Sequence, residues 1–247
     1  MTKKPIRINE AAKQATRIQT SLINDLERKA LVAMARRMPR WVNSDMLTFF
    51  GVFGALVVMA GYTLTHYDYR WLWLASLGLV FNWFGDSLDG SLARVRHTQR
   101  PTYGFFLDHN MDGITITLMC VGAGLSPFLN LYLAMAVLVV YLLLSVYVYI
   151  SAHLKGEFKL TYAKLGPTEF RLIVIVINTL FICIRPLREY VRVVSLFGTP
   201  LRLTMLDYMV GVIFVFLVVI HIASLVHDAR EYAVLDPMPQ PSDEQRP

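Results

Sequence analysis

Four aspartates in two helix-spaced pairs dominate the chemistry available to this chain. Asp86 and Asp89 stand three apart in Asp86-Ser-Leu-Asp89-Gly90-Ser-Leu-Ala93-Arg94. After nine further residues, Asp108 and Asp112 stand four apart in Gly104-Phe-Phe-Leu-Asp108-His-Asn-Met-Asp112. On a helix, each spacing puts both carboxylates on one face. Both pairs lie among long apolar runs, where a carboxylate costs roughly 2.5 to 3.5 kcal/mol at a helix centre. Four of them require on the order of 10 kcal/mol of compensation from cations or water if they lie deep. Gly90, Ala93 and Gly104 each sit four residues from an aspartate on the same stripe, where a bulky side chain would block a ligand or a facing helix. Asn82, four before Asp86, adds another oxygen donor. An oxygen-only ligand set suits Mg²⁺, Mn²⁺ or Ca²⁺ better than zinc. Arg94 adds a forked cation shaped for phosphate. Acidic clusters beside an arginine point to metal-assisted phosphoryl transfer, in which two ions clamp a diphosphate. A carboxylate not fully used by metal takes the proton of an attacking hydroxyl; Asp112, one turn deeper than Asp108, is the candidate. The plainer reading, four solvated aspartates at a helix–loop boundary, does not account for the aligned glycines, Ala93 and Arg94.

These residues must be positioned by membrane helices. Of 247 residues, 55% are hydrophobic and only 17% charged, far too little polar surface for a soluble domain of this length. Six apolar runs approach the roughly 20 residues that cross a bilayer as a helix. They are Met46–Thr65, Trp71–Arg94, Gly104–Pro127, Leu129–His153, Pro167–Ile184 and Leu206–Val226. The runs are too long, and alternate too little, to be strands. The predicted fold is an all-α polytopic membrane protein of about six transmembrane helices. The expected segments are an N-terminal amphipathic interfacial part (1–40), a six-helix transmembrane catalytic domain (41–227) and a flexible tail (228–247). Residues Ile8 to Arg37 read as one amphipathic helix, with Ile18, Leu22, Leu26 and Leu31 near one face. No cleavable signal peptide is expected, since the first forty residues are polar and basic. Cys120 and Cys183 read as small buried hydrophobes.

Net charge is +6, unevenly spread. Ten Lys or Arg precede the first run, Arg94, Arg96 and Arg100 flank the second connection, and Lys155, Lys159, Lys164 and Arg171 mark the fourth. The positive-inside tendency puts these in the cytoplasm with both termini, and the aspartates then face the cytoplasm of what reads as a bacterial inner membrane. Arg185, Arg188, Arg192 and Arg202 fall in a connection that this topology places outside. The basic charge reads as orientation and attraction to anionic lipid, not nucleic-acid binding. The Asn43-Ser44-Asp45…Thr48 run reads as a cap on the first span, and Asp207 and Asn178 as helix-end or packing features.

The eight positions Asp86, Asp89, Gly90, Ala93, Arg94, Gly104, Asp108 and Asp112 resemble the signature of the CDP-alcohol phosphotransferase family, Asp-x2-Asp-Gly-x2-Ala-Arg, a spacer, then Gly-x3-Asp-x3-Asp. The spacer here (Val95–Tyr103) is nine residues, where eight is usual. The resemblance implies attack of an alcohol on a CDP-linked donor, transfer of the substituted phosphate and release of CMP. It further implies two Mg²⁺ or Mn²⁺ ions held by Asp86, Asp89, Asp108 and Asp112, with Asp112 also the general base. Gly90, Ala93 and Arg94 would border the cytidine and its phosphates, and the protein would be a homodimer.

The expected donor is CDP-diacylglycerol and the acceptor a small polar alcohol. Lys159, Lys164, Glu169 and Arg171 are the candidates to bind the acceptor, against the plainer reading of ordinary cytoplasmic charge. The Asp108-His109 pair is also similar to choline/ethanolamine phosphotransferases, which transfer a CDP-linked amino alcohol onto diacylglycerol. A cation-coupled transporter would use buried carboxylates too, but calls for inverted repeats and broken helices, and the sequence offers neither. A catalytically dead scaffold would be expected to lack a motif aspartate, and none is missing.

Overall fold

A computed structural model of the chain describes residues 16–18, 24–155, 157–159, 167–196 and 199–238. In chain order the elements are β1 (Thr16–Ile18), α1 (Asn24–Arg37), α2 (Ser44–Leu64), a 3-10 turn (Tyr69–Trp71), α3 (Leu72–Val95), α4 (Pro101–Gly124), α5 (Leu131–Lys155), β2 (Glu157–Lys159), α6 (Pro167–Cys183), α7 (Arg185–Arg188), β3 (Val191–Leu196), β4 (Thr199–Thr204) and α8 (Met205–Leu235). The architecture is all-α, as the patterning predicts, and each of the six apolar runs becomes one long helix. Among the described residues, α2, the Leu131–Ser151 part of α5, and α8 are long and apolar enough on their own to cross a membrane. The helices α3 and α4, each 24 residues, carry the acidic pairs, and α6 has 17 residues.

Glycine sets the closest approach in the bundle. Along the α2–α3 seam, a Cβ on Gly54 would overlap the backbone nitrogen of Asn82, one on Gly85 that of Gly51, and one on Gly61 that of Ala75. The seam pairs advance along α2 as they retreat along α3, so the helices run antiparallel with backbones in contact. Gly122 brings α4 equally close to α2 at Met59. Far from the aspartates, Val58, Tyr62, Leu72, Ala75, Leu79, Phe128 and Phe181 form one core cluster. A polar bridge crosses it. Tyr62 donates to Asn178 Oδ1 at 2.9 Å, and Asn178 Nδ2 donates to Ser76 Oγ at 3.2 Å, which makes Asn178 the packing residue expected of it. A second cluster, with Leu31, Ala35, Val42, Leu47, Leu88 and Leu92, fastens α1 onto α3.

Helix ends follow from their capping residues. Asn43 caps α2, accepting from the Met46 amide at 2.8 Å. Thr204 and Asp207 form a capping box on α8, and Asp207 also accepts from the Asn130 amide at 2.7 Å. Two expectations need correction. The helix expected over Ile8–Arg37 occupies Asn24–Arg37, while Thr16–Ile18 is extended and pairs in parallel with Glu157–Lys159; the β-branched Thr16 and Ile18 favour that conformation. Residues Ile8, Leu22 and Lys164 lie outside the described ones or in stretches whose side chains are not described. The helix α8 continues to Leu235, so the first part of the expected tail is helical. There the Tyr147 hydroxyl of α5 donates to Asp228 at 2.7 Å and holds the extension to the bundle.

A Gly54→Ala substitution should gain about 1 kcal/mol of helix propensity and lose more to overlap with the α3 backbone. Gly113→Ala, with nothing within 4 Å of its Cβ, has only the gain. Thermal unfolding in detergent should therefore show a lower midpoint for Gly54→Ala and an unchanged or higher one for Gly113→Ala; equal midpoints would contradict the backbone-contact seam.

Candidate active site

The acidic residues meet because α3 ends, and α4 begins, at the same end of the bundle. Pro101 at the first turn of α4 suits a helix start, and His97, with φ of 56°, turns the short connection. Arg96 ties that connection down by donating to the carbonyls of Val42, Met38 and Pro39. The carboxylate oxygens of Asp86, Asp108 and Asp112 come within 4.8 Å of one another. They line a small cavity with Thr48, Gly51 and Val52 of α2, Asn82 of α3, and Met111 and Thr115 of α4. Three acidic oxygens so close, with no nitrogen or sulfur donor among them, fit a hard divalent cation.

Asp89 sits apart from this trio. It is only 9% exposed. Thr48 donates to its Oδ2 at 2.6 Å, and the Gly90 amide donates to its Oδ1. Ser44 fixes the same turn by donating to the Asp89 carbonyl at 2.8 Å. Thr48 was legible as part of a cap, but its role as the partner of Asp89 depends on the α2–α3 register and was not. Gly90 leaves room for the Arg94 guanidinium, whose Nη1 would lie 3.4 Å from a Cβ there, and Arg94 donates to Ser91 Oγ at 3.0 Å. Ala93 follows on the last turn of α3, and Gly104 has open space around its Cβ position.

Of the candidate acceptor residues, Arg171 is drawn into the acidic group. It donates to Asp86 Oδ2 at 2.6 Å and, through Nε, to Asn82 Oδ1 at 2.8 Å. Its Nη1 is buried and has no hydrogen-bond partner among the described residues. Asn82 in turn donates to the Gly51 carbonyl at 3.0 Å, linking the arginine to the α2–α3 seam. Glu169 is buried on the first turn of α6. Lys159 is described only as the last residue of β2, and Lys164 lies outside the described residues. The placement of Arg171 depends on Glu27 of α1, whose Oε1 accepts from Trp83 of α3 and Thr168 of α6, both at 2.7 Å. His109 borders the acidic group, its Nδ1 3.7 Å from Asp108 Oδ2. Its Nδ1 contacts the Phe105 carbonyl at 2.8 Å, and its ring stacks on Phe105 and meets Tyr149 edge-on. At the mouth, Arg100 pairs with Asp45 at 2.6 Å and lies 3.9 Å over the Tyr103 ring.

Thr48→Val removes the hydroxyl that orients Asp89 and leaves a buried carboxylate oxygen with one donor fewer, at a cost of about 1–3 kcal/mol. Thr48→Ser keeps the donor. A thermal denaturation series should show the valine variant clearly destabilised and the serine variant near wild type. A valine variant as stable as wild type would mean that the Thr48–Asp89 bond contributes nothing.

The stretch of chain that carries these residues matches a known family. A family model described as CDP-alcohol phosphatidyltransferase matches residues 41–203, from the start of α2 to β4. No curated protein matches the chain. The matched stretch holds all four aspartates and most of the chain's length, and with its apolar helices it marks a membrane transferase of phosphate-containing groups: the chain belongs to the CDP-alcohol phosphatidyltransferase family.

Proposed function

We propose that this chain transfers a substituted phosphate from CDP-diacylglycerol to the hydroxyl of a small polar alcohol and releases CMP, as a step of phospholipid biosynthesis. The observation that carries this reading is the convergence of Asp86, Asp108 and Asp112, with oxygens within 4.8 Å of one another, at the end of a membrane bundle. Asp86, Asp108 and Asp112, with Asp89 one turn along α3 from Asp86, would hold Mg²⁺ or Mn²⁺. When bound, such ions supply charge neutralisation at a diphosphate and stabilise the leaving oxygen. The rest falls to side chains. The acceptor oxygen forms a bond to the donor's lipid-bearing phosphorus, the bond from that phosphorus to the bridging oxygen breaks, and CMP departs with the electron pair. The acceptor's proton passes to the Asp112 carboxylate. Arg94, folded over Gly90, supports the nucleotide phosphates beside Ala93, where a larger side chain would intrude. Arg171 keeps a buried, unused donor beside Asp86, which suits an anionic acceptor group; Glu169, Lys159 and Lys164 belong to the same proposed acceptor side.

The same reading puts the site end in the cytoplasm, where Arg94, Arg96 and Arg100 cluster, in a bacterial inner membrane, and the protein in a homodimer. The alternative, transfer of a CDP-linked choline or ethanolamine to diacylglycerol, has its sequence hint in His109; the contacts of that ring with Phe105 and Tyr149 serve packing.

Purified full-length protein with Mg²⁺ or Mn²⁺ should form CMP and a new phospholipid from CDP-diacylglycerol and a pool of polar alcohols, read by mass spectrometry. A parallel reaction of CDP-choline with diacylglycerol should stay empty. Chelation should stop the reaction, and Asp112→Asn should slow it by about 10²–10⁴-fold while leaving the thermal transition in place. Absence of CMP from every CDP-linked donor would overturn the proposal.

A further inference from the structure

The end of the bundle away from the aspartates carries the arginines that the charge rule places on the wrong side. Two of them have internal work. Arg188 Nη1 donates to the carbonyls of Phe181 and Ile182 at 3.1 and 3.0 Å, closing the end of α6, and its guanidinium lies 3.7 Å over the Tyr69 ring. Arg185 pairs with Glu189 one turn on, at 2.8 Å. That uses the one acidic residue between Arg185 and Thr204. Arg192 and Arg202 are different. Both are exposed, and neither has an ion pair or hydrogen bond among the described residues.

These two arginines stand on a two-stranded ribbon. The strands β3 and β4 pair antiparallel from Val191↔Thr204 to Leu196↔Thr199. Residues directly opposite share a face, so Val191, Val193, Ser195, Pro200 and Arg202 project to one side, while Arg192 projects to the other. All five are exposed, Val193 at 62% and Val191 at 44%. Among the described residues, the ribbon's broad contacts are between its own strands and with the start of α8. A lone two-stranded hairpin is marginally stable in water and needs a further surface.

Its position indicates what that surface is. The ribbon follows α6 and α7 and leads directly into α8, which is long and apolar enough to cross a membrane, so it stands where that helix would leave the bilayer. Tyr190 and Tyr208 pack ring to ring at its base, 6.1 Å between centroids. Exposed Trp71 and Trp73 stand at the same end of the bundle, and such aromatics mark the headgroup level of a membrane. We propose that the ribbon is a membrane-docking element. It lays Val191 and Val193 into the interface and offers Arg202, on the same face, to the phosphates of anionic phospholipids in that leaflet. The guanidinium fork matches a phosphodiester, and uncompensated positive charge beside exposed valines is complementary to an anionic apolar boundary, not to water or to a second copy carrying the same charge.

The test uses the full chain in nanodiscs, with Cys120→Ser, Cys183→Ser and Val193→Cys carrying a nitroxide label. In discs containing phosphatidylglycerol, the label should collide with oxygen severalfold more, relative to a water-soluble nickel chelate, than in discs of phosphatidylcholine alone. Arg202→Gln should abolish that difference and lower the number of phosphatidylglycerol molecules retained in native mass spectra, whereas Arg192→Gln, on the opposite face, should leave both unchanged. Since both arginines are exposed, the thermal transition should not move; a label at Val191 gives an independent reading if Val193→Cys disturbs the ribbon. Full chelate access in both kinds of disc, or insertion indifferent to headgroup charge and to Arg202→Gln, would overturn the proposal. So would strong spin–spin coupling between two copies, which would assign the face to self-association.

Discussion

Like charges gathered in an apolar bundle repel, and that repulsion is the constraint around which this molecule is built. Two carboxylates about 5 Å apart at an effective dielectric near 20 oppose each other by about 3–4 kcal/mol, and Asp86, Asp108 and Asp112 form three such pairs. Desolvation adds to the cost. The bundle offsets it locally and unequally. Arg171 neutralises Asp86 with a 2.6 Å ion pair from α6, and Thr48 hydrogen-bonds Asp89 from α2. Asp108 and Asp112 face the cavity opposite the arginine. Three acidic groups this close favour binding of a divalent ion over burial of the acids unaided.

Supplying those partners sets the demands on the scaffold. The reach of Thr48 is fixed by how closely α2 approaches α3, and the glycine seam decides that: any Cβ at Gly54 or Gly85 would push Thr48 away from Asp89. The reach of Arg171 is fixed by the position of the α6 N-terminus, which Glu27 holds to α3 through Thr168 and Trp83. The N-terminal helix α1 therefore does more than lie on the membrane. Its apolar face docks on Leu88 and Leu92, one helical turn apart on α3, while Glu27 reaches across to α6. Three helices that carry no motif aspartate thus set the geometry of the two that do.

Much of this was legible in residue order. Spacings of three and four put the aspartates on shared faces, the short connection between α3 and α4 made those faces neighbours, and the apolar runs marked the six long helices. What was not legible depended on contacts between helices distant in sequence. Arg171 read as a binder of acceptor phosphate because its neighbours in sequence are lysines; only the α3–α6 packing shows it bonded to Asp86 and Asn82. Thr48 read as a cap residue because it lies one turn into α2. A signal for the seam did exist: Gly54 and Gly61, like Gly78 and Gly85, recur seven apart, two helical turns, along one face of each helix. The start of α1 was misread because amphipathic spacing in a basic segment looks the same whether or not its first part, with Thr16 and Ile18, is claimed by a strand partner far along the chain.

The arginines show how identical residues divide by environment. Loop charge counted along the sequence treats Arg96, Arg171, Arg188 and Arg202 alike. In the structure Arg96 locks a connection through three carbonyls, Arg171 balances a carboxylate, and Arg188 closes a helix end over an aromatic ring. Each is consumed by an internal partner and carries little information about which side of the membrane it faces. Topology signals belong to charges left facing solvent or lipid; of the four arginines in the connection between α6 and α8, Arg192 and Arg202 of the ribbon remain in that condition among the described residues. The apparent conflict with the positive-inside tendency therefore shrinks from four residues to two, and those two stand on the ribbon proposed to dock on the membrane.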